Sequence, residues 1–180
     1  MSTEYTPDRD PMSMLPRVKT EAAARIVGVG YEGFRSYLKR GILGRTGLLP
    51  SFHVPGADTF DDPKPRAAWS RFDFSSLCLI RTAKILMDSG YSYEKANSVV
   101  SNYRHWSKLA HDHVPTLRYL MVWPPYGDNI LFEGDEIKFI SDRLLEIGNA
   151  QGPVSIINLE QIQEHVRLGM LAEADLHVDA

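Results

Sequence analysis

Four cationic side chains surround a glycine-containing break near the start of the chain. Arg25 precedes Gly28-Val29-Gly30, and Arg35, Lys39 and Arg40 follow it. A guanidinium can donate two parallel hydrogen bonds to a phosphate or to the O6 and N7 atoms of a guanine, and an ammonium neutralises a phosphate as a point charge. These residue types at this spacing predict a surface that binds a polyanion, with double-stranded DNA as the candidate partner.

Two short helices must position these side chains. The first is predicted to start at Thr20, a good N-cap residue, and to end at Gly28, since glycine readily adopts the left-handed conformation. The second is predicted over residues 31–40, where Phe34 and Leu38 are four residues apart and therefore share its inner face. Two helices joined by a tight turn are typical of a helix-turn-helix, whose second helix enters the major groove.

The outer face of the second helix carries the side chains that would meet DNA. Arg17 and Thr20 stand at the start of the first helix, where free N–H groups can hold a phosphate, although a simple cap explains Thr20 equally well. A solvated helix face is the alternative interpretation of Arg35 and Lys39. The predicted DNA-binding residues are Arg17, Thr20, Tyr31, Arg35, Ser36, Tyr37, Lys39, Arg40, Arg45 and Arg71.

Charge is distributed unevenly along the chain, although the formal net charge is only -3. Residues 15–71 contain ten Lys and Arg against five Asp and Glu, whereas residues 115–180 contain four against eleven. The first part is therefore suited to a polyanion, and the last part would repel one. Chance clustering on solvated faces is the alternative explanation.

The composition argues against a membrane-spanning, secreted or disulfide-containing protein. The chain has 180 residues, 43% of them hydrophobic, without a run of eighteen apolar residues or a secretory pattern at its start. One cysteine, Cys78, excludes an internal disulfide and a multi-cysteine zinc site. We expect a cytoplasmic, nucleoid-associated protein that is not bound to a membrane.

The rest of the chain divides into a long loop-rich segment, two further helices and a mixed α/β region. Residues 44–70 are rich in proline and glycine, and short strands at residues 48–53 and 69–72 are expected to pair across them. Asp73 or Ser75 is predicted to cap a helix ending at Asp88, and Ser92 to cap another ending near Tyr103. Later elements are predicted as strands at 118–123, 129–132 and 154–157, a helix at 133–147, and a last helix capped by Asn158.

Two stretches of the chain resemble the DNA-binding domain of MerR-type transcription regulators. They are TEAAARIVGVGYEGFRSYLKRGIL and RFDFSSLCLIRTAKILMDSGYSYEKANSVV. The matching features are Gly28-Val29, Arg35-Ser36-Tyr37, Gly41-Ile42-Leu43, Phe72 with Leu77, and Gly90-Tyr91-Ser92-Tyr93-Glu94. The resemblance implies a winged helix-turn-helix, with Arg35 clamping the DNA backbone and Tyr37 partly in the core.

The chain departs from the MerR pattern in two places. The predicted wing is long, rich in proline and without the Gly-Tyr-Arg signature of the family. An apparent α/β unit replaces the long helix that pairs two subunits in that family. We therefore predict a mainly α fold with small β content: a flexible arm (1–16), a winged helix-turn-helix domain (17–103), a connector (104–117), a small α/β domain for dimerisation, sensing or protein contact (118–172) and a tail (173–180).

Other kinds of site find little support in the sequence. His105, His111 and His113, with Asp112, form a possible metal cluster, but a polar connector is the plainer interpretation. No phosphate-binding glycine loop or nucleophile elbow is present, so we expect no enzyme activity and no cofactor. The chain is predicted to be a homodimeric, sequence-specific transcription regulator, with an excisionase-like architectural protein or a protein-interaction module without DNA binding as alternatives.

Overall fold

The computed structural model of the chain describes residues 15–42, 71–101, 117–123, 128–133, 136–146 and 154–175. Within these ranges the protein is mainly helical, with two small antiparallel sheets. The helices are α1 (Thr20–Val27), α2 (Tyr31–Arg40), α3 (Phe74–Asp88), α4 (Tyr93–Val100), a 3₁₀ helix (Glu136–Phe139), α5 (Ile140–Glu146) and α6 (Leu159–Asp175). The strands are β1 (Val18–Lys19), β2 (Arg71–Phe72), β3 (Leu117–Trp123), β4 (Asp128–Glu133) and β5 (Ser155–Asn158). Every helix in the described ranges is too short or too polar to cross a lipid bilayer.

Two glycines end the first two helices, as the sequence predicts. Gly28 and Gly41 adopt φ angles of 80° and 81°, a region that side chains with a Cβ rarely enter. The N–H of Gly28 donates to the carbonyls of Ala24 and Arg25, both at 3.0 Å, so the last turn of α1 is closed by the backbone itself. The predicted bounds of α2, residues 31–40, are confirmed.

Side-chain caps define the starts of three later helices. Asp73 accepts a hydrogen bond from the Ser76 N–H at 2.8 Å, and Ser92 accepts one from the Lys95 N–H at 3.3 Å. Asn158 accepts one from the Gln161 N–H at 3.1 Å. The predicted caps are confirmed, whereas α4 ends at Val100, before the predicted end near Tyr103.

The first sheet contains a pairing that the sequence does not predict. β2 forms within the predicted 69–72 strand and pairs antiparallel with β1, immediately before α1. This register places Val18 opposite Phe72, and both side chains are buried, at 7% and 0% exposure. Burial of this pair against the helices explains why such short strands associate. The predicted strand 48–53 lies outside the described residues.

The second sheet has the strand order β4-β3-β5, with both pairs antiparallel. Its three strands fall where the sequence predicts them, within one or two residues. The helix predicted from Glu133 is wrong at its start, because Glu133 is the last residue of β4 and pairs with Leu117. The ladder extends beyond the predicted strand, and helical structure begins only at Glu136.

Residues from both halves of the chain share one hydrophobic cluster. It includes Val27 of α1, Ile80 of α3, Leu120 of β3 and Val166 of α6, all at most 1% exposed. α6 packs against both α1 and α3, and the Tyr91 hydroxyl donates a 2.8 Å hydrogen bond to the Val122 carbonyl. The acidic C-terminal helix α6 therefore packs directly on α1, the helix that ends at the glycine break.

Two helical glycines should respond in opposite ways to replacement by alanine. A Cβ on Gly169 would lie 3.0 Å from Ile26 Cγ1 and 3.2 Å from Cγ2, whereas a Cβ on Gly33 would have no atom within 4 Å. We expect Gly33→Ala to raise the free energy of unfolding by about 1 kcal/mol through helix propensity. Gly169→Ala should lower it by about 1 kcal/mol, because overpacking against buried Ile26 exceeds that gain. Urea denaturation followed by circular dichroism measures both, and equal stabilisation by the two substitutions would contradict the close contact between α6 and α1.

Candidate nucleic-acid interface

α2 has one buried side and one exposed side. Phe34 is fully buried, while Tyr37 and Leu38 are half-buried and pack against the core cluster. The predicted contact residues Tyr31, Arg35, Ser36, Lys39 and Arg40 are all exposed. The inward and outward faces therefore follow the spacing of the sequence, and Tyr37 lies partly in the core as the resemblance implies.

Arg35 lies on the open face in contacts that an incoming phosphate can replace. Its Nη1 donates to Glu32 Oε1 at 3.1 Å, and its guanidinium carbon is 5.7 Å from the centre of the Tyr31 ring. Both charged side chains are at least half exposed, at 50% for Arg35 and 78% for Glu32. An exposed pair of this kind contributes only about 0–1 kcal/mol, so Arg35 can exchange Glu32 for a phosphate at little cost.

Arg40 is held more firmly at the end of α2. Its guanidinium lies 3.6 Å from the centre of the Tyr93 ring and donates to Glu94 at 3.0 Å. The Tyr93 hydroxyl in turn donates to the Tyr37 carbonyl at 3.2 Å, which ties α4 to α2. The pKa of Glu94 is lowered, first by a hydrogen bond from its own backbone N–H and then by those from Ser92 and Arg40. Arg40 therefore has a defined position at the rim of the surface.

Ser36 and Lys39 complete the outer face of α2. Within the described ranges neither side chain has a hydrogen bond or an ion pair, and both are exposed. An ammonium on an open helix face is available to neutralise a phosphate, and a hydroxyl can bond to a base edge or a phosphate oxygen. These two side chains are therefore the most available on α2 for contact with DNA.

A second cationic surface lies beside the first sheet. We call it the basic cleft, a concave region of about 550 Å³ lined by the cations Arg17, Lys19, Arg25 and Arg71 and by the carboxylates of Glu21 and Glu173, both of which pair with Arg25. Arg17, Lys19 and Arg71 are exposed, and in the described part of the chain none of them has an ion-pair partner. The cleft brings two of the predicted contact residues, Arg17 and Arg71, to one place.

Lys19 and Arg71 are directly opposite each other in the β1–β2 pair. Like charges at opposed positions of an antiparallel ladder are destabilising. A phosphate between them would remove the repulsion and gain a charge-assisted hydrogen bond to each side chain. The two opposed cations are therefore unfavourable in the free protein and favour the binding of an anion.

Sequence comparison does not place the chain in a known family. No family model matches the chain, and no curated protein gives a significant match. The resemblance to MerR-type regulators therefore stays a prediction, and the function has to be argued from the contacts themselves.

Arg25 is neutralised within the protein. Its Nε and Nη2 donate to Glu173 at 3.1 and 2.8 Å, and its Nη1 donates to Glu21 at 3.1 Å. The hydrogen bond with Glu173 is the main reason that the pKa of Arg25 is raised. The acidic α6 thus pairs with a cation of α1, whereas the outer face of α2 is exposed in the described structure.

Two predicted contact residues need separate comment. The sequence predicts Thr20 as the N-cap of α1, but the N-cap is Lys19, without a side-chain cap, and Thr20 is the first residue of the helix. Thr20 is only 2% exposed, so its side chain packs inside the protein instead of marking the surface. Arg45 lies outside the described residues, as do the segment 44–70 and the three histidines of the possible metal cluster.

The sequence does not predict the roles of two residues near the site, Lys19 and Arg81. Lys19 enters the basic cleft because β1 places Val18 inward and Lys19 outward, an alternation that a two-residue strand signals only weakly. Arg81 of α3 donates from Nη1 to the Val27 carbonyl at 2.8 Å and to the Ile26 carbonyl at 3.3 Å. Arg81 thereby supports the end of α1 directly below the turn at Gly28.

Proposed function

We propose that the chain is a sequence-specific, double-stranded-DNA-binding transcription regulator with a MerR-like winged helix-turn-helix. One observation supports this most directly: the cations on the outer face of α2 are exposed, and so are Arg17, Lys19 and Arg71 at the basic cleft, although Glu173 and Ala174 of α6 line part of that cleft. α6 pairs with Arg25 of α1 through Glu173. The acidic part of the chain therefore neutralises the side of the helix pair that faces it, and leaves the predicted recognition helix accessible.

In the proposed complex α2 lies in the major groove and the basic cleft lies against the phosphate backbone. Arg35 would clamp a phosphate or bond to a guanine, and Ser36 would bond to a base edge or a phosphate. Lys39 and Arg40 would contact the backbone at the end of the helix. The accessibility of these side chains supports the assignment.

Specific recognition on this scheme requires two copies of the chain. One short helix contacts only a few base pairs, and helix-turn-helix proteins commonly bind two half-sites as dimers. We propose a homodimer whose C-terminal part, residues 118–172, contributes to dimerisation, effector sensing or contact with another protein.

The test is a genome-wide pull-down of DNA bound to the full chain, repeated with Arg35→Ala and Lys39→Ala. Each substitution should lower occupancy at the preferred sites. In binding titrations each should also reduce the slope of log K against log salt by about 0.9, the value for one lost phosphate contact. Loss of one such contact weakens binding without unfolding the protein, because both side chains are exposed.

Arg167→Ala provides a matched control, because Arg167 on α6 pairs only with Glu164 in the described ranges, at 2.7 Å, and lies outside both cationic surfaces. Its occupancy and salt slope should equal those of the unmodified chain. Unchanged occupancy with both α2 variants would refute the proposed face. Strong bending of unrelated duplexes, without preferred promoter sites, would favour an architectural DNA protein instead.

A further inference from the structure

A groove separates α3 from β5 and α6, on a different surface from the basic cleft. Its volume is about 380 Å³, within the range of roughly 300–1,000 Å³ that is usual for small-molecule sites. One part of its lining is apolar, with Ile85, Ile156 and Ile162, and the other part is polar, with Arg81, Asn158, Gln161 and His165. A site with an apolar part and a polar part suits an amphipathic small molecule.

Arg81 is the only arginine or lysine among the described residues that line this groove. One nitrogen, Nη1, is bonded to the carbonyls of Ile26 and Val27. Within the described ranges no carboxylate forms an ion pair with Arg81, and the nearby Asp88 is bonded to Lys84. Burial lowers the pKa of Arg81, with a smaller opposing effect of Asp88. A partly desolvated guanidinium that lacks a paired anion favours binding of one.

His165 of α6 lines the same groove and also contacts the end of α1. Its Nε2 lies 3.0 Å from the Ile26 carbonyl oxygen, which can only accept a hydrogen bond, so Nε2 carries the proton. Arg81 and His165 therefore both bind the last carbonyls of α1. A ligand on Arg81 would contact the residue that supports the turn between α1 and α2.

We propose that this groove binds a small aliphatic carboxylate. Its carboxylate would accept hydrogen bonds from Arg81, and its hydrocarbon chain would cover the isoleucine side chains. Ile156, on β5, is 45% exposed at the groove, so a bound chain would remove apolar surface from water. Binding at this site does not rest on the proposed DNA-binding function, and it can be measured on the free protein without DNA.

The experiment titrates octanoate into the full chain, with isothermal calorimetry and amide chemical-shift mapping as readouts and octanol as the uncharged probe. Saturable octanoate binding with shifts at α3, β5 and α6 is expected. Octanol should bind at least about tenfold more weakly, the change in affinity expected when a charge-assisted hydrogen bond is lost. Equal binding of octanoate and octanol, shifts confined to another surface, or no saturable binding would overturn the proposal.

Two variants and one control sharpen the test. Arg81→Gln keeps a donor for the α1 carbonyls and removes the charge, and should weaken octanoate binding about tenfold. Ile156→Glu places a carboxylate at an exposed lining position, so it should repel octanoate without disturbing the core. Arg167→Gln, outside the groove, should leave octanoate affinity unchanged. Unaltered affinity in Ile156→Glu, or an equal loss in Arg167→Gln, would also overturn the proposal.

Discussion

Replacing both Lys19 and Arg71 with glutamine should weaken DNA binding strongly and should not lower the stability of the free protein. The two residues are opposed in the β1–β2 ladder and exposed in the basic cleft. Their mutual repulsion is unfavourable in the free protein, and attraction of both cations to a phosphate between them offsets it in the complex. The same substitution therefore acts with opposite signs on binding and on folding.

The expected magnitudes can be measured separately. Loss of two phosphate contacts should reduce the salt slope of binding by about 1.8, which anisotropy titrations of a labelled duplex at several salt concentrations would show. Removal of the like-charge pair should raise the free energy of unfolding by about 0.2–1 kcal/mol in urea denaturation. Glutamine is suitable because it retains a polar, flexible side chain on the exposed edge.

A control variant and two possible results test the prediction for Lys19 and Arg71. Arg167→Gln also removes an arginine, one that is half-buried on α6 and outside the cleft, so the salt slope should not change. A double variant whose salt slope equals that of the unmodified chain would show that the cleft does not contact phosphates. A loss of stability by more than about 1 kcal/mol would show that the two cations are structural.

The position of α6 bears on how an acidic segment can belong to a DNA-binding protein. Glu173 accepts hydrogen bonds from Arg25, with its two oxygens 2.8 and 2.9 Å from Nη2, and Glu164 pairs with Arg167 on the same helix. These carboxylates are therefore largely compensated at close range. Only the pair with Arg25 reduces the net charge of -7 for residues 115–180, and by one unit, since Arg25 lies outside that segment and Arg167 is already counted within it.

The parts of the fold that the sequence predicts well depend on local signals. Gly28 ends α1 because the chain there needs a positive φ, and Asp73, Ser92 and Asn158 cap helices through bonds to N–H groups three residues ahead. Such signals act within one helical turn and need no knowledge of the rest of the chain. The outward face of α2 follows equally from the four-residue spacing between Phe34 and Leu38.

The parts that the sequence does not predict depend on distant partners. β1 forms because Val18 and Phe72 bury each other. The two residues are far apart in the chain, and no local signal near Val18 predicts the pairing. The sequence groups Arg25 with the other cations around the glycine break, but its partner Glu173 is 148 residues away. Periodicity shows which side of an element is apolar, but it does not show what will cover that side. The basic cleft and the packing of α6 on α1 can therefore be recognised only from the three-dimensional structure.

Replacing Phe34 with alanine should destabilise the protein far more than truncating any exposed side chain of α2. Phe34 is fully buried on the inner side of α2, and its ring meets Phe72 of β2 edge-on, with centroids 5.2 Å apart at 80°. Truncating a buried phenylalanine typically costs about 3–5 kcal/mol, because the lost contacts leave a cavity. The edge-to-face contact with Phe72 adds to that loss. Urea denaturation at equilibrium measures the difference.

Phe34→Leu separates the cavity from other effects, since it retains much of the buried volume and should lower the free energy of unfolding by less than about 1.5 kcal/mol. Tyr31→Ala is the matched surface control, because Tyr31 lies on the same helix but is 39% exposed, and its effect should stay within about 0.5 kcal/mol. A loss below about 1 kcal/mol in Phe34→Ala would mean that α2 is not anchored through this ring. In that case α2 would have no fixed inner side, and the outer face on which the DNA-binding proposal depends would not be defined.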